Sequence, residues 1–232
     1  MKATPEFDRF NPEIANFFAE LSKNNSKEWF DANRKFYEKE IKDNSKLFIG
    51  EMGKRLSGNK QRYISDPKIS MFRINRDIRF SKNKDPYKTN LGFWFPYGDD
   101  VLSFAKKPLP GIYFHFSNEE SFIACGIHTP ESADLKKIRA ALANDFEHFE
   151  SITENKKFKA AFPKEMTSGT LTRVQGYSND HPAFKYIARK DHTFFIDTPI
   201  DTLFSPELPD ILVEKAKISD ELHNFLYTAI TD

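Results

Sequence analysis

Residue types able to do chemistry are densest between Lys68 and Asn90, where the chain reads KISMFRINRDIRFSKNKDPYKTN. Seven basic residues stand there against Asp77 and Asp85, a local excess of +5 in a chain whose formal net charge is +1. Guanidinium groups present a planar fork for two-point contact with an oxyanion, and lysines add point charges, so this set suits a phosphate or a carboxylate. Arg73, Arg76, Arg79, Lys84, Tyr87 and Lys88 are the candidate ligand-binding residues. Asp77 is a weak candidate for an acid or base, and Tyr87 or His115 for a proton donor. Together they suit transfer or hydrolysis with electrostatic stabilisation of a developing anion. The first reading is therefore a small-molecule enzyme or receptor with a basic pocket for a phosphorylated or carboxylated ligand.

Two other readings compete. Basic residues interleaved with Phe72, Phe80, Tyr87, Phe93 and Trp94 could combine phosphate contacts with base stacking in a nucleic-acid or acidic-protein binding module. The isoelectric point of about 7.8 argues against it, because dedicated nucleic-acid-binding domains are usually more basic than about 9. Alternatively the segment is an internal ion-pair network, neutralised by the acidic stretch from Asp197 to Glu221, in which case Arg79→Ala destabilises the fold without changing any ligand response.

Elsewhere the chemical signals are weaker. Asn24, Asn25, Lys27, Trp29, Arg34 and Tyr37 set polar groups beside a large aromatic residue at a helix start, which capping explains more simply than binding. His115 and His128 read as hydrogen-bonded structural residues, and Cys125 among Phe122, Ile123, Ala124 and Ile127 as a small buried hydrophobe. The six histidines include no HExxH pair, and Walker, GxGxxG and GxSxG loops are absent. No metal and no cofactor is expected.

The elements that must position these residues follow from apolar spacing. Ile14, Phe17, Phe18 and Leu21 predict a helix over 12–21 with Asn11 as cap; Trp29, Phe30, Phe36, Tyr37 and Ile41 predict one opening at a capping box on Asn25 and running to about Asp43. Another carries Leu47, Phe48, Met52 and Leu56 and ends near Gly58-Asn59. Alternation from Ile69 to Phe80 predicts a strand that slips at Arg76-Asp77. Strands over 91–95, 112–116 and 122–127, joined by short turns, predict an antiparallel meander. A helix carries Leu135, Ile138, Leu142 and Phe146; a strand at 171–174, a helix at 182–188, a strand at 192–196 and a long final helix from Pro209 to Ile230 complete the pattern. The expected fold class is α+β, a mostly antiparallel central sheet packed with N-terminal, middle and C-terminal helices, in one domain over 1–232.

Composition agrees with a folded globule. Of the 232 residues 39% are hydrophobic, 15% aromatic and 30% charged, which excludes disorder and collagen-like repeats. No apolar run approaches the roughly 20 residues of a spanning helix, the start lacks the apolar core of a signal peptide, and a single cysteine suits a reducing compartment, so the expected location is cytoplasmic and no membrane partner is expected.

Phe17-Phe18 through Leu21, Asn24-Asn25, Lys27, Trp29-Phe30, Arg34 and Tyr37, then Phe72-Arg73-Ile74, Arg76-Asp77, Arg79-Phe80-Ser81, Lys84 and Pro86-Tyr87-Lys88-Thr89-Asn90, resemble the hallmark blocks of the family called domain of unknown function 2461. The resemblance extends over roughly 7–230, with weaker matches at Gly111-Ile112-Tyr113, Gly126, Arg139 and His181-Pro182. It implies that the Arg76-Asp77, Arg79-Phe80 and Pro86-Tyr87-Lys88 groups belong to a family signature, and it carries no activity to transfer. Asn75 departs from the aromatic residue common at that point of the family pattern.

Overall fold

The computed structural model describes residues 6–59, 62–79, 81–98 and 107–232. Asn11 starts the first helix, its side chain accepting from the Glu13 N–H at 3.0 Å, and α1 (Glu13–Lys23) buries Ile14, Phe17, Phe18 and Leu21. Ser26, not Asn25, caps α2 (Lys27–Phe36) by accepting from the Trp29 N–H. Beyond Phe36 the helix widens into seven π-helical residues, Tyr37–Asp43, before tightening again into α3 (Asn44–Gly58). Asp66 and Pro67 then set up a single turn, α4 (Pro67–Ser70).

The sheet contains β1 (Asn90–Pro96), β2 (Gly111–Ser117), β3 (Ser121–Ile127), β4 (Lys164–Met166) and β5 (His192–Asp197), in the order β1-β2-β3-β5-β4 with every pair antiparallel. Between β3 and β4 lie α5 (Ser132–Asn144), α6 (Phe146–Thr153) and α7 (Lys156–Ala161); α8 (Phe184–Ile187) precedes β5. A 3-10 turn at Ile200–Phe204 leads into the long α9 (Leu208–Thr231). The fold is α+β, as the apolar spacing predicts.

Helices collect on one face of the sheet. Phe93 packs with Phe10 and Phe48, Phe116 with Phe18 and Phe204, and Phe194 with Phe158. Each fully buried phenylalanine there contributes about 1.5–3 kcal/mol relative to exposure. The helix α9 is pinned to the sheet by a buried polar chain: the Gly126 N–H donates to His223 Nε2 at 2.9 Å, and His223 Nδ1 lies 2.6 Å from the Tyr63 hydroxyl, which donates to the Ala216 carbonyl at 2.9 Å. Because Nε2 accepts, Nδ1 carries the proton and donates to Tyr63.

Two expectations need correction. Ile69 to Arg79 is not a strand: after α4 it makes isolated bridges only, Met71 with Phe93 and Asn75 with Tyr87, and Phe80 lies outside the described residues. The Asp66 cap and Pro67 favour a helical turn at the point where the apolar alternation begins. Residues 171–174 form no strand either, with a single bridge between Thr170 and Arg189 nearby. β4 is an addition to the predicted strands, since three residues give too short an alternation to read. Among the described residues no helix is long and apolar enough to cross a membrane.

Candidate anion-binding cleft

The basic segment folds back on itself beside β1. The Arg76 N–H donates to the Pro86 carbonyl at 2.9 Å and the Lys88 N–H to the Ile74 carbonyl at 2.8 Å, so 74–76 runs antiparallel to 86–88, with the described residues 77–79 and 81–85 at the tip. Asn25 holds this hairpin to the start of α2: its amide donates to the Tyr87 carbonyl at 3.0 Å, and its oxygen accepts from the Tyr87 N–H at 3.1 Å. The Tyr87 ring then stacks on Phe30, centroids 4.1 Å apart and planes at 15°.

Between this hairpin and the α2–π segment lies a cleft of about 440 Å³. Phe30, Tyr37, Tyr87, Met71 and Ile74 give it an apolar floor; Arg34, Arg73, Lys42, Glu38 and Asn75 supply its polar groups. The π-helical stretch contributes Tyr37, Glu38 and Lys42, and Arg34 comes from the last turn of α2. A π-helical interruption is rare and is found preferentially at functional sites.

Arg34 pairs with Asp31 on its own helix, and Lys42 with Glu38 at 2.6 Å. Arg73 has no carboxylate within ion-pair distance among the described residues. Arg34, Arg73 and Lys42 against Glu38 leave the cleft with an excess of positive charge. Burial, with the nearby Glu38 carboxylate, pushes the Tyr37 phenol up to about 12, so it remains a protonated donor throughout the physiological range. Just outside, burial lowers the Lys88 ammonium, and the charges of Arg73 and Arg76 push it the same way. These three cations share one locality.

Of the six residues read from the sequence as ligand-binding, Arg73 and Tyr87 line the cleft. Arg76 reaches toward Asp85 at 3.8 Å, Arg79 pairs with Asp77 at 2.6 Å on the exposed tip, Lys84 donates to the Ile78 carbonyl at 3.0 Å, and Lys88 lies over the Phe72 ring. Hydrogen bonds from the Arg79 side chain and backbone hold the Asp77 carboxyl well below the usual carboxylate range. Asp77 is thus an ionised partner of Arg79 and lies outside the cleft.

His115 also lies elsewhere, on the face of the sheet opposite the helices. Its Nδ1 is 3.0 Å from the Tyr113 hydroxyl and its ring stacks on Phe122 at 4.8 Å; burial lowers its pKa, against the pull of Glu120. Cys125 is buried, and burial raises its thiol well above the usual value. The acidic C-terminal stretch finds partners away from the basic segment: Asp197 pairs with Lys164, Asp210 with Arg55 and Glu221 with His148. Among the described residues no group of three or more His, Cys, Asp or Glu side chains is placed to hold a metal ion.

Glu38, Lys42 and Met71 are cleft residues that the sequence pattern does not single out. Glu38 and Lys42 have the spacing of an ordinary i,i+4 ion pair on a solvated helix face. The one signal available is the polar cluster Asn25 to Tyr37 beside Trp29, which capping accounts for equally well.

No curated protein and no solved structure is similar enough to this chain to match it. One family model does match, over residues 13–225, which takes in the cleft, the basic hairpin and the whole sheet. The chain therefore belongs to the conserved hypothetical protein family DUF2461.

Proposed function

We propose that the cleft binds a small molecule carrying a phosphate or carboxylate on an apolar or planar body. The observation that carries this reading is Arg73: a guanidinium that makes no ion pair among the described residues and feels the Asp77 charge only from beyond ion-pair distance, at a cleft shared with Arg34 and Lys42. A guanidinium without a contact ion pair beside an aromatic floor gains from a ligand anion, because a charge-assisted hydrogen bond is about twice as strong as a neutral one. Phe30, Tyr37 and Tyr87 would take the apolar body, and the Tyr37 hydroxyl would donate to the anionic group.

The test is a thermal-shift screen at low salt with inorganic phosphate, sulfate, nucleotides, sugar phosphates and dicarboxylates, on the wild type and Arg73→Gln. A ligand at one hundred times its dissociation constant stabilises by about 2.7 kcal/mol, a rise of roughly 5–11 °C for a chain of this size. The reading expects a rise with one ligand class that disappears in Arg73→Gln. A rise of equal size in the variant, or none with any ligand, overturns it.

A further inference from the structure

The sheet face turned away from the helices is aromatic, and the cleft does not use it. By strand register Trp94, Tyr113, His115, Phe122 and Phe195 all project from it, and each is only partly buried. The rings touch in series across the strands. Phe72, 43% exposed, meets Tyr113 edge-on at 5.8 Å; Tyr113 meets Phe122 at 5.9 Å; Phe122 stacks on His115 and meets Phe195 edge-on at 5.9 Å. Gly92 makes the first step of this series, since a Cβ there would stand 2.7 Å from the Tyr113 hydroxyl and 3.3 Å from Phe72.

Both ends of the series carry a cation. Lys88 Nζ lies 5.3 Å from the centroid of Phe72, and Lys164 Nζ lies 5.6 Å from that of Phe195. The two ends are not equivalent. Lys164 is neutralised by Asp197, and Glu120 stands 3.6 Å from His115 at the β2–β3 turn. Lys88 has no carboxylate within ion-pair distance among the described residues and shares its surroundings with Arg73 and Arg76. Positive charge therefore stands without an ion pair at the Lys88 end of the series and is neutralised at the Lys164 end, with Glu120 beside His115 between them.

We propose that this face binds single-stranded nucleic acid, with bases stacked on the rings from Phe72 to Phe195 and the phosphates held at the β1 edge by Lys88 and Arg76. The ring faces that no neighbour covers offer stacking to any base, and the cations beside them fix the backbone, which is how sequence-tolerant single-strand binders work. From β1 to β4 the sheet spans about 19 Å, room for several unstacked bases. A duplex keeps its bases stacked on one another and offers such a surface little.

Fluorescence anisotropy tests this on the full chain with a labelled mixed-sequence single strand, as RNA and as DNA, and with the matching duplex. Single strands should bind more tightly than the duplex, and Phe122→Ala and Phe195→Ala should each weaken binding about tenfold. Between about 50 and 200 mM salt, Lys88→Gln should reduce the slope of log affinity against log salt by about 0.7, while the same charge change at Lys136 on α5 leaves it unaltered. Absence of single-strand binding at about 50 mM salt overturns the proposal, as does duplex binding of equal strength. Undiminished binding by the two ring variants, with wild-type circular dichroism, also overturns it. Should those variants fail to fold, an unchanged slope in Lys88→Gln overturns it on its own.

Discussion

The side-chain amide of Asn25 pairs with both backbone groups of Tyr87, 62 residues further along the chain. The contact imitates a strand pair with one side chain, and it fixes the basic hairpin against the helix whose last turn and π extension form the opposite wall of the cleft. Asn25→Leu leaves a peptide N–H and a carbonyl without partners, at a cost of about 1–3 kcal/mol. Urea unfolding should register that loss, and the variant should also respond less to any ligand found for the cleft. Asn25→Asp keeps the acceptor and loses the donor, so its stability should fall between the two. Wild-type stability in Asn25→Leu would show that the hairpin is held by the Phe30–Tyr87 stack alone.

Two glycines with positive φ separate backbone strain from steric collision. Gly126 has φ +103° on β3, and a Cβ there would collide with the His192 carbonyl oxygen on the neighbouring strand β5. Gly176 has φ +87° and open space around it. Gly176→Ala should cost about 1–2 kcal/mol, the conformational penalty alone. Gly126→Ala must also separate two paired strands and should cost about 4 kcal/mol or more. Equal losses in chemical unfolding would mean that β3 and β5 part without cost at that point.

How much of the fold is legible in the sequence depends on whether the determining contacts are local. Strands β1, β2, β3 and β5 each have a short apolar run with turn residues beside it, and α9 its own apolar stripe, so they can be read directly. The segment after Pro67 cannot, because Asp66 and the Pro67 ring start a helical turn just where Ile69 and Met71 mimic a strand. The cleft is half legible. Arg73 and Tyr87 stand out by composition, but their partners Arg34, Glu38 and Lys42 reach them through a π-helical widening and through Asn25, both set by tertiary packing. Arg79 misleads for a related reason: the density of charge around it suggests a buried network, whereas its partner Asp77 is two residues away on an exposed tip.

That placement yields a prediction about Arg79 itself. A solvated ion pair between near neighbours contributes little, since water and salt screen it. Arg79→Ala should leave the unfolding midpoint unchanged within error, and should leave any response of the cleft to ligands intact. A clear fall in the midpoint would restore the structural-network reading of the basic segment.

Cys125 faces the helices from β3 and is 2% exposed. Burial raises its thiol, so the nucleophilic thiolate is scarce and the path to it is closed. A chromogenic disulfide reagent should label the native chain only at the rate of global unfolding and label it at once in denaturant. Fast labelling of the native protein would mean that the sheet opens at β3.

The two buried histidines set the acid limit of the fold. Burial depresses the pKa of His223 to about 3; that of His192 falls equally far, chiefly through burial and then through the nearby Arg189. An unfolded histidine titrates near 6.5, so below that pH the unfolded chain binds protons that the native chain refuses. The stability is therefore fully present above about pH 6.5 and is lost as pH falls toward 3, by about 1.4 kcal/mol per pH unit for each histidine. Urea unfolding from about pH 7 down to pH 4 should show that slope, up to twice the single-group value where both contribute. The ring-proton resonances of two of the six histidines should fail to titrate over the same range. Protonation of His223 also has a structural consequence: protonating Nε2 would turn the acceptor of the Gly126 N–H into a second donor and break the contact that holds α9 to β3. If all six resonances titrate near 6.5 in the native protein, the chain from Gly126 through His223 to Tyr63 is not closed in solution.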